Sequence, residues 1–332
     1  MFKLKNAGII GMGKAVSKKI LTNYDLEKMV DTNDEWIVNM TGIKERHICE
    51  DDMAASDLAV IAANEALSTS KVNAEDIDAI ITATVTGDYV LPSTASIIQY
   101  KIGAVKAAAF DMAAGCSGWV YALSSACAYV KSGMYKNILV IGVDLLSRIT
   151  NWKDRSTCVL FGDGAGAAVV SEVGDTEGGI LGFDLGSDGA GAEALIVKTG
   201  GSKHPVTCED IQNGTNKVFM CGQEVFKFAV KIQSETIIKV LKKTGLNIDD
   251  ISLFIPHQAN IRIIDSASHR LGVSKDKFFV NIQKYGNTSA ASIPLALYEA
   301  WKSGQIKKGD LIAVCGFGAG LTWASGVMKW VF

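Results

Sequence analysis

The feature that most constrains this chain is a repeat within itself, because a repeat at a fixed spacing decides the architecture before any single element does. Lys131-Ser132-Gly133-Met134-Tyr135-Lys136 leads into the apolar run Ile138-Leu139-Val140-Ile141-Gly142, and Lys302-Ser303-Gly304-Gln305-Ile306-Lys307 leads into Leu311-Ile312-Ala313-Val314-Cys315-Gly316, an offset of 171 residues. Upstream, Asn73-Ala74-Glu75-Asp76-Ile77-Asp78 before Ala79-Ile80-Ile81 matches Asn247-Ile248-Asp249-Asp250-Ile251-Ser252 before Leu253-Phe254-Ile255, at an offset of 174. Either match alone is a common helix-to-strand turn. Two at nearly one spacing predict two halves of one plan, 1–174 and 175–332. At the 171 spacing, position 116 falls on 287, so Cys116 and Asn287 are expected to begin the same helix of the two halves.

Within each half, strand-length apolar runs alternate with helix-length stretches: Ala79–Val85, Ser93–Lys101, Ala107–Met112, Ser117–Lys131 and Asn137–Val143 in the first. The alternation predicts an α/β fold with a largely buried sheet. The helix after position 116 is apolar on nearly every side (Trp119, Val120, Ala122, Leu123, Ala126, Cys127, Val130) and belongs between layers rather than on the surface. With 332 residues, 48% of them apolar, the chain has material for such a core. Its net charge of -2 argues against nucleic acid or an anionic membrane as a whole-molecule partner. Seven cysteines without a C-x-x-C pair indicate neither a disulfide framework nor a zinc site, and no metal is expected. No apolar run approaches 18 residues, and the glycine-broken stretch Ala7–Gly13 is too short for a signal segment, so a cytoplasmic location is expected.

Three residues carry candidate chemistry. Cys116 stands in Asp111-Met112-Ala113-Ala114-Gly115-Cys116-Ser117-Gly118, a small-residue turn from strand to helix. There, free N–H groups and the helix dipole are expected to depress the thiol and to hold an oxyanion. His257 follows the apolar strand Leu253–Ile255, where α/β sheets place functional side chains. Asn287 lies in Gly286-Asn287-Thr288-Ser289-Ala290-Ala291-Ser292, and Pro294 delays or kinks the helix that follows. Each also has an ordinary reading: a core thiol, a neutral core imidazole, a helix N-cap. A nucleotide-dependent oxidoreductase is a rival prompted by Gly8-Ile9-Ile10-Gly11-Met12-Gly13, but a G-x-G-x-x-G frame from Gly11 ends on Val16. Gly162-Asp163-Gly164-Ala165-Gly166 runs into the strand-like Ala167–Val170 with no Lys-Ser/Thr, as a tight turn does and a phosphate cradle does not.

Seven short motifs in order resemble the β-ketoacyl-acyl-carrier-protein synthase III family of the thiolase-like superfamily. They are Asp34-Glu35-Trp36-Ile37, Thr41-Gly42-Ile43 with Glu45-Arg46-His47, Ala114–Gly118, Phe161–Ala167, Pro256-His257-Gln258-Ala259-Asn260, Gly286–Ser292, and Gly318-Ala319-Gly320-Leu321-Thr322-Trp323. The resemblance implies a five-layered αβαβα fold built from two duplicated halves. It further implies a ping-pong condensation in which Cys116 takes an acyl group from acyl-CoA and malonyl-acyl-carrier protein then decarboxylates, with His257 and Asn287 as donors to the enolate. The backbone N–H groups of Cys116 and Ala319 would form a second oxyanion hole. Elongating synthases resemble this set with a second His in place of Asn, so Asn287 selects the branch.

By the same resemblance, Trp36 and Arg155 would sandwich the CoA adenine, Thr41 and Asn260 would lie along the nucleotide and pantetheine, and Arg262 and Arg270 would face the acidic carrier protein. Two departures from the family pattern matter. Met40 stands where many members have an Arg, removing one phosphate or carrier-protein contact. Leu91 stands where acetyl-preferring members place a Phe from the partner subunit at the end of the primer pocket, which predicts tolerance of primers longer than acetyl. A homodimer is implied, and no cofactor beyond the CoA thioester substrate. The alternatives are a related condensing or acyl-transfer enzyme of secondary metabolism with another acceptor, and a CoA-binding protein that performs no transfer.

Overall fold

The computed structural model describes residues 5–174 and 178–332. Among the described residues, nine strands form the two main sheets. The first contains β1 (Asn6–Ala15), β2 (Ala79–Ala83), β3 (Ala108–Met112), β4 (Asn137–Leu145) and β5 (Asp163–Val173), in the order β1-β5-β4-β2-β3. The second contains β6 (Gly179–Ser187), β7 (Leu253–Pro256), β8 (Leu311–Gly318) and β9 (Thr322–Lys329), in the order β7-β8-β9-β6. Strands β2 and β4 are buried along their whole length, which requires cover on both faces. Helices α2 (Ala55–Ser70) and α3 (Gly118–Ser132) cover those two faces, α6 (Ser292–Lys302) lies beside α3 between the sheets, α4 (Gly222–Thr244) and α5 (Ile261–Leu271) cover the second sheet, and α1 (Asp34–Thr41) packs against α5.

Three apolar clusters separate five layers. Leu58, Ala62 and Ala66 of α2 pack on the outer face of the first sheet with Ile80, Leu139 and Val169. Trp119, Leu123 and Val130 of α3, with Ile293 and Leu297 of α6, fill the space between the sheets. Ile237 and Leu241 of α4, with Ile264 and Ala267 of α5, cover the second sheet. The expected αβαβα arrangement is therefore what the chain adopts, and α3 is its centre, with eight of its residues buried. The glycines of the failed G-x-G-x-x-G frame have a packing role: a Cβ on Gly13 would stand 2.1 Å from the Ala62 carbonyl oxygen of α2.

Strand pairing fixes the relation between the halves. Ala79 of β2 pairs with Ile138 of β4, and Leu253 of β7 pairs with Ile312 of β8, each partner 174 residues on and parallel. The central helices also start 174 apart, at Gly118 and Ser292, each preceded by a short 3-10 turn (Gly115–Ser117 and Ser289–Ala291). The expected equivalence of Cys116 with Asn287 is thus three residues out: Cys116 corresponds to Ala290. Helix α6 has 11 residues against 15 in α3, one turn fewer, which pulls the Lys-Ser-Gly matches to 171. The longer loop before β8 restores 174. Pro294 is third in α6, within the first turn, where its missing N–H costs no intrahelical bond; the helix neither starts late because of it nor differs in its start from α3, which has the same 3-10 turn and no proline. The boundary drawn at 174/175 adjoins residues 175–177, which lie outside the described residues.

Candidate active site

Cys116 sits in the 3-10 turn that opens α3, His257 one residue beyond β7, and Asn287 just before the turn that opens α6. All three line one cavity between the halves, with Phe226, Asn260 and Phe317. Asn287 is held from both sides of its backbone: its N–H donates to Leu160 O at 2.8 Å, and its carbonyl accepts the Gly162 N–H at 3.0 Å. Its Oδ1 accepts the Ser289 N–H at 2.9 Å, so the cap-like bond uses the oxygen and leaves the amide NH2 as the donor end. His257 is buried, its N–H donates to Cys315 O at 2.7 Å, and Phe317 meets its ring edge-on at 5.3 Å. The ring Nδ1 is buried without a hydrogen-bond partner.

The electrostatics reverse one expectation. Burial pushes the Cys116 thiol up to about 12, and the nearby Asp144 carboxylate adds to the rise; hydrogen bonds from Ser289 and its own backbone oppose it. The side chain is partly accessible through the cavity, yet protein surrounds it on nearly every side, so desolvation governs the direction. The helix field expected to depress the thiol is worth at most about 2 kcal/mol and begins two residues on, at Gly118. Burial likewise lowers His257 to about 3. The resting pair is therefore a neutral thiol and a neutral imidazole, whose ring offers one N–H donor and one unprotonated nitrogen.

The glycine-rich C-terminal turn presses on Cys116. A Cβ on Gly318 would lie 2.6 Å from the Cys116 nitrogen, and one on Gly115 would lie 2.9 Å from the Ala319 nitrogen. Ala319 lies between β8 and β9, and its N–H has no acceptor among the described hydrogen bonds. The backbones of Gly115–Cys116 and Gly318–Ala319 thus lie in close contact. Cys116 also lines an apolar pocket with Val85, Leu146, Ile149, Ile196 and Val218. Outward, Leu160, Met220, Phe226 and Asn260 are shared between the Cys116 cavity and a surface groove that holds Trp36, Met40, Thr41 and Arg262.

The outer residues are placed with different degrees of freedom. The Arg155 guanidinium lies 5.1 Å from the Trp36 ring centroid and donates to Asp31 O at 2.7 Å. A flat base between them needs about 7 Å, two contacts of about 3.5 Å each, so the pair must open to admit one. Thr41 lines the groove, but its hydroxyl already donates to Ile37 O at 2.6 Å and accepts the Ile43 N–H at 3.0 Å. Asn260 caps α5 through the Arg262 N–H at 2.8 Å and donates to Met40 O at 2.9 Å. Arg262 stacks on Phe226 and Arg270 bonds Ser234 at 3.3 Å, both on α4, so the two arginines do share one face of α5. Leu91 is 85% exposed on a loop and is not part of its own chain's pocket wall.

Sequence reasoning passed over Asp144 and Ser289. Asp144 is a fully buried carboxylate at the end of β4, and a lone acid ending the apolar run from Ile138 was the available signal. Ser289 lay hidden among small residues.

A family model for 3-oxoacyl-[acyl-carrier-protein (ACP)] synthase III matches residues 110–189, and one for its C-terminal part matches residues 241–330. A beta-ketoacyl-[acyl-carrier-protein] synthase III of Caldanaerobacter subterraneus subsp. tengcongensis is 56% identical over 324 residues, covering 98% of both chains. The chain belongs to the synthase III family. Among solved structures, the synthase III of Aquifex aeolicus VF5 superimposes with a TM-score of 0.90 at 46% identity, covering 98% of this chain and all of that one. The priming beta-ketosynthase of the R1128 polyketide pathway superimposes at 0.92 with 32% identity, covering 99% and 98%. The Cys116 cavity shares residues with a surface groove on one side and with an apolar pocket on the other.

Proposed function

We propose that the protein is the initiating condensing enzyme of type II fatty acid synthesis, an acyltransferase that joins an acyl-CoA primer to malonyl-acyl-carrier protein and yields 3-oxoacyl-acyl-carrier protein, CoA and CO2. The observation that carries this reading is the meeting of Cys116, His257 and Asn287 in one cavity between a surface groove and an apolar pocket. Cys116 attacks the thioester carbonyl, the acyl–sulfur bond to CoA breaks, and the primer rests in the apolar pocket as a thioester. The N–H groups of Cys116 and Ala319 receive the oxyanion of each tetrahedral intermediate. Malonyl-acyl-carrier protein then loses CO2. The enolate oxygen takes hydrogen bonds from His257 and the Asn287 amide, and its carbon attacks the acyl group. This sequence balances with no redox step, so no cofactor beyond the CoA thioester enters it.

Trp36 and Arg155 grip the CoA adenine once they part. Asn260 and Thr41 border its path, and Arg262 and Arg270 meet the acidic carrier protein at the mouth. With Leu91 outside its own chain's pocket wall, a place for it at a primer pocket requires a second copy. The exposed neighbours Tyr89 and Val90 support a homodimer of the two-half chain, 1–174 and 175–332, working in the cytoplasm without membrane or nucleic acid. Among the described residues, no helix is long and apolar enough to cross a membrane.

Intact-mass spectrometry after mixing with acetyl-CoA tests the first half-reaction: one acetyl group gained, and none in Cys116→Ala. An adduct only with a branched or longer acyl-CoA changes the primer, and no adduct with any of them overturns the reading. A second reading, a priming synthase of secondary metabolism, draws on the R1128 likeness. It predicts condensation with an acceptor other than malonyl-acyl-carrier protein.

A further inference from the structure

Two hydroxyl groups near Cys116 take no part in the reaction proposed above, yet they join the two backbone segments it uses. Ser117, fully buried, ends the 3-10 turn that leads into α3. Thr322 begins β9, directly after the short turn Ala319-Gly320-Leu321. The Ser117 hydroxyl lies 2.8 Å from the Ala114 carbonyl oxygen and 2.9 Å from the Thr322 hydroxyl. The Thr322 hydroxyl lies 3.0 Å from the same Ala114 oxygen and 2.9 Å from the Ala319 carbonyl oxygen. Two protons are thus shared among two carbonyls and the facing hydroxyl. Among the described hydrogen bonds, the Ala319 carbonyl has no donor other than Thr322, and the N–H groups of Cys116 and Ala319 have no acceptor.

Each of these carbonyls stands one peptide unit from an N–H assigned above to the oxyanion hole. Ala114 O precedes the Gly115–Cys116 peptide, and Ala319 O follows the Gly318–Ala319 peptide. Packing brings the segments together, since a Cβ on Gly115 would stand 2.9 Å from the Ala319 nitrogen. Contact of that kind fixes a separation; a hydrogen bond to a carbonyl also fixes how the planar peptide is turned. The duplicated plan does not require the hydroxyls. At the offset of 174, Ser117 corresponds to Ala291, and β4 and β5 of the first half are joined by the long segment 146–162 rather than by a short turn.

We propose that Thr322, backed by Ser117, is a positioning residue that holds the Cys116 and Ala319 N–H groups in one arrangement for the oxygen of the reacting thioester. This role rests on the oxyanion function proposed for those two N–H groups. Thr322 lines neither the Cys116 cavity nor the adjoining apolar pocket, so it acts through the backbone. As the sulfur adds to the carbonyl carbon, the C=O electron pair moves onto oxygen, and it returns when the leaving sulfur departs. The hydroxyl neither gains nor loses a proton; it spares the donors from turning to meet the charge.

Thr322→Val removes the hydroxyl at nearly constant shape, Thr322→Ser keeps it, and Ser117→Ala is a milder second variant. Single-turnover acetylation of Cys116 is followed by intact mass with acetyl-CoA and with p-nitrophenyl acetate, which forms the same oxyanion without using the CoA groove. Iodoacetamide alkylation of Cys116, read by peptide mass, is the control, because displacement at a saturated carbon builds no charge on a carbonyl oxygen. Thr322→Val is expected to slow acetylation by both donors about 10- to 50-fold, less than outright loss of a donor, with alkylation within about twofold of wild type. Serine is expected to restore acetylation to within about threefold of wild type, and Ser117→Ala to slow it about threefold. A merely structural role would lower the melting temperature and move alkylation together with acetylation. Wild-type acetylation in Thr322→Val, or in Ser117→Ala where the valine variant does not fold, overturns the inference, as does a parallel change in alkylation. Wild type acetylated by the ester but by no acyl-CoA overturns the proposed function, and the ester comparison still decides the role of Thr322.

Discussion

The two halves repeat one plan, and at the structural offset of 174 each candidate catalytic side chain faces an alanine. Cys116 corresponds to Ala290, His257 to Ala83, and Asn287 to Ala113. The strand ends differ in a complementary way. Asp144 ends β4 and its carboxylate accepts the Ala290 N–H, whereas its counterpart Gly318 ends β8 with no side chain, directly against the Cys116 N–H. Where one half meets a helix-start N–H with its own carboxylate, the other sets a residue without a side chain against it. Duplication supplied the frame, and subtraction on one side with addition on the other made it a site.

The widest break in the comparison is Cys116→Ala, which restores alanine at both equivalent positions. Acyl transfer is expected to fall by about 10⁴-fold or more in the intact-mass assay, while release of CO2 from malonyl-acyl-carrier protein persists. Loss of both half-reactions would refute the division of labour between the halves. Asn287→Ala removes a donor from the second half. The condensation rate is expected to fall about 10²- to 10³-fold with acyl-Cys116 formation nearly untouched, a split that single-turnover measurements resolve.

Gly318→Ala tests that close approach. Its Cβ is placed 2.6 Å from the Cys116 nitrogen, so acylation is expected to slow by about 10- to 100-fold and the fold to lose about 1–3 kcal/mol in denaturant unfolding. Trp36→Ala acts only at the groove. The KM for acyl-CoA is expected to rise about 3- to 30-fold with kcat retained. The smallest effect is one of pH. With His257 lowered by burial to about 3, the imidazole stays neutral down to pH 5, so decarboxylation by Cys116→Ala is expected to vary less than about twofold between pH 5 and 8. A histidine at its ordinary value near 6.5 would instead change its charge, and with it the rate, within that range.

Much of this frame is legible in the sequence, because it is written in local patterns. The alternation of apolar runs marks β2, β3 and β4 within a residue or two, and the all-round apolar face of α3 marks the central layer. Cys116, His257 and Asn287 stand out by position and by motif. The register between the halves was not legible. A turn missing from α6 and a longer loop beyond it cancel, so one of two sequence matches carries a misleading offset. Asp144 escaped for another reason: its significance lies in what it touches across 146 residues of chain, as the Ala290 bond to Asp144 illustrates.

By itself, then, the sequence determined the layers, the doubling and the candidates for the reactive groups, since periodicity, repeats and residue chemistry are properties of neighbours along a chain. Only the tertiary structure decided which helix-start N–H meets a carboxylate and which a glycine, that the thiol and imidazole rest neutral, and that Arg155 lies closed over Trp36. Those follow from desolvation and from approaches of 2–3 Å between distant segments, and neither exists until the two sheets close on α3.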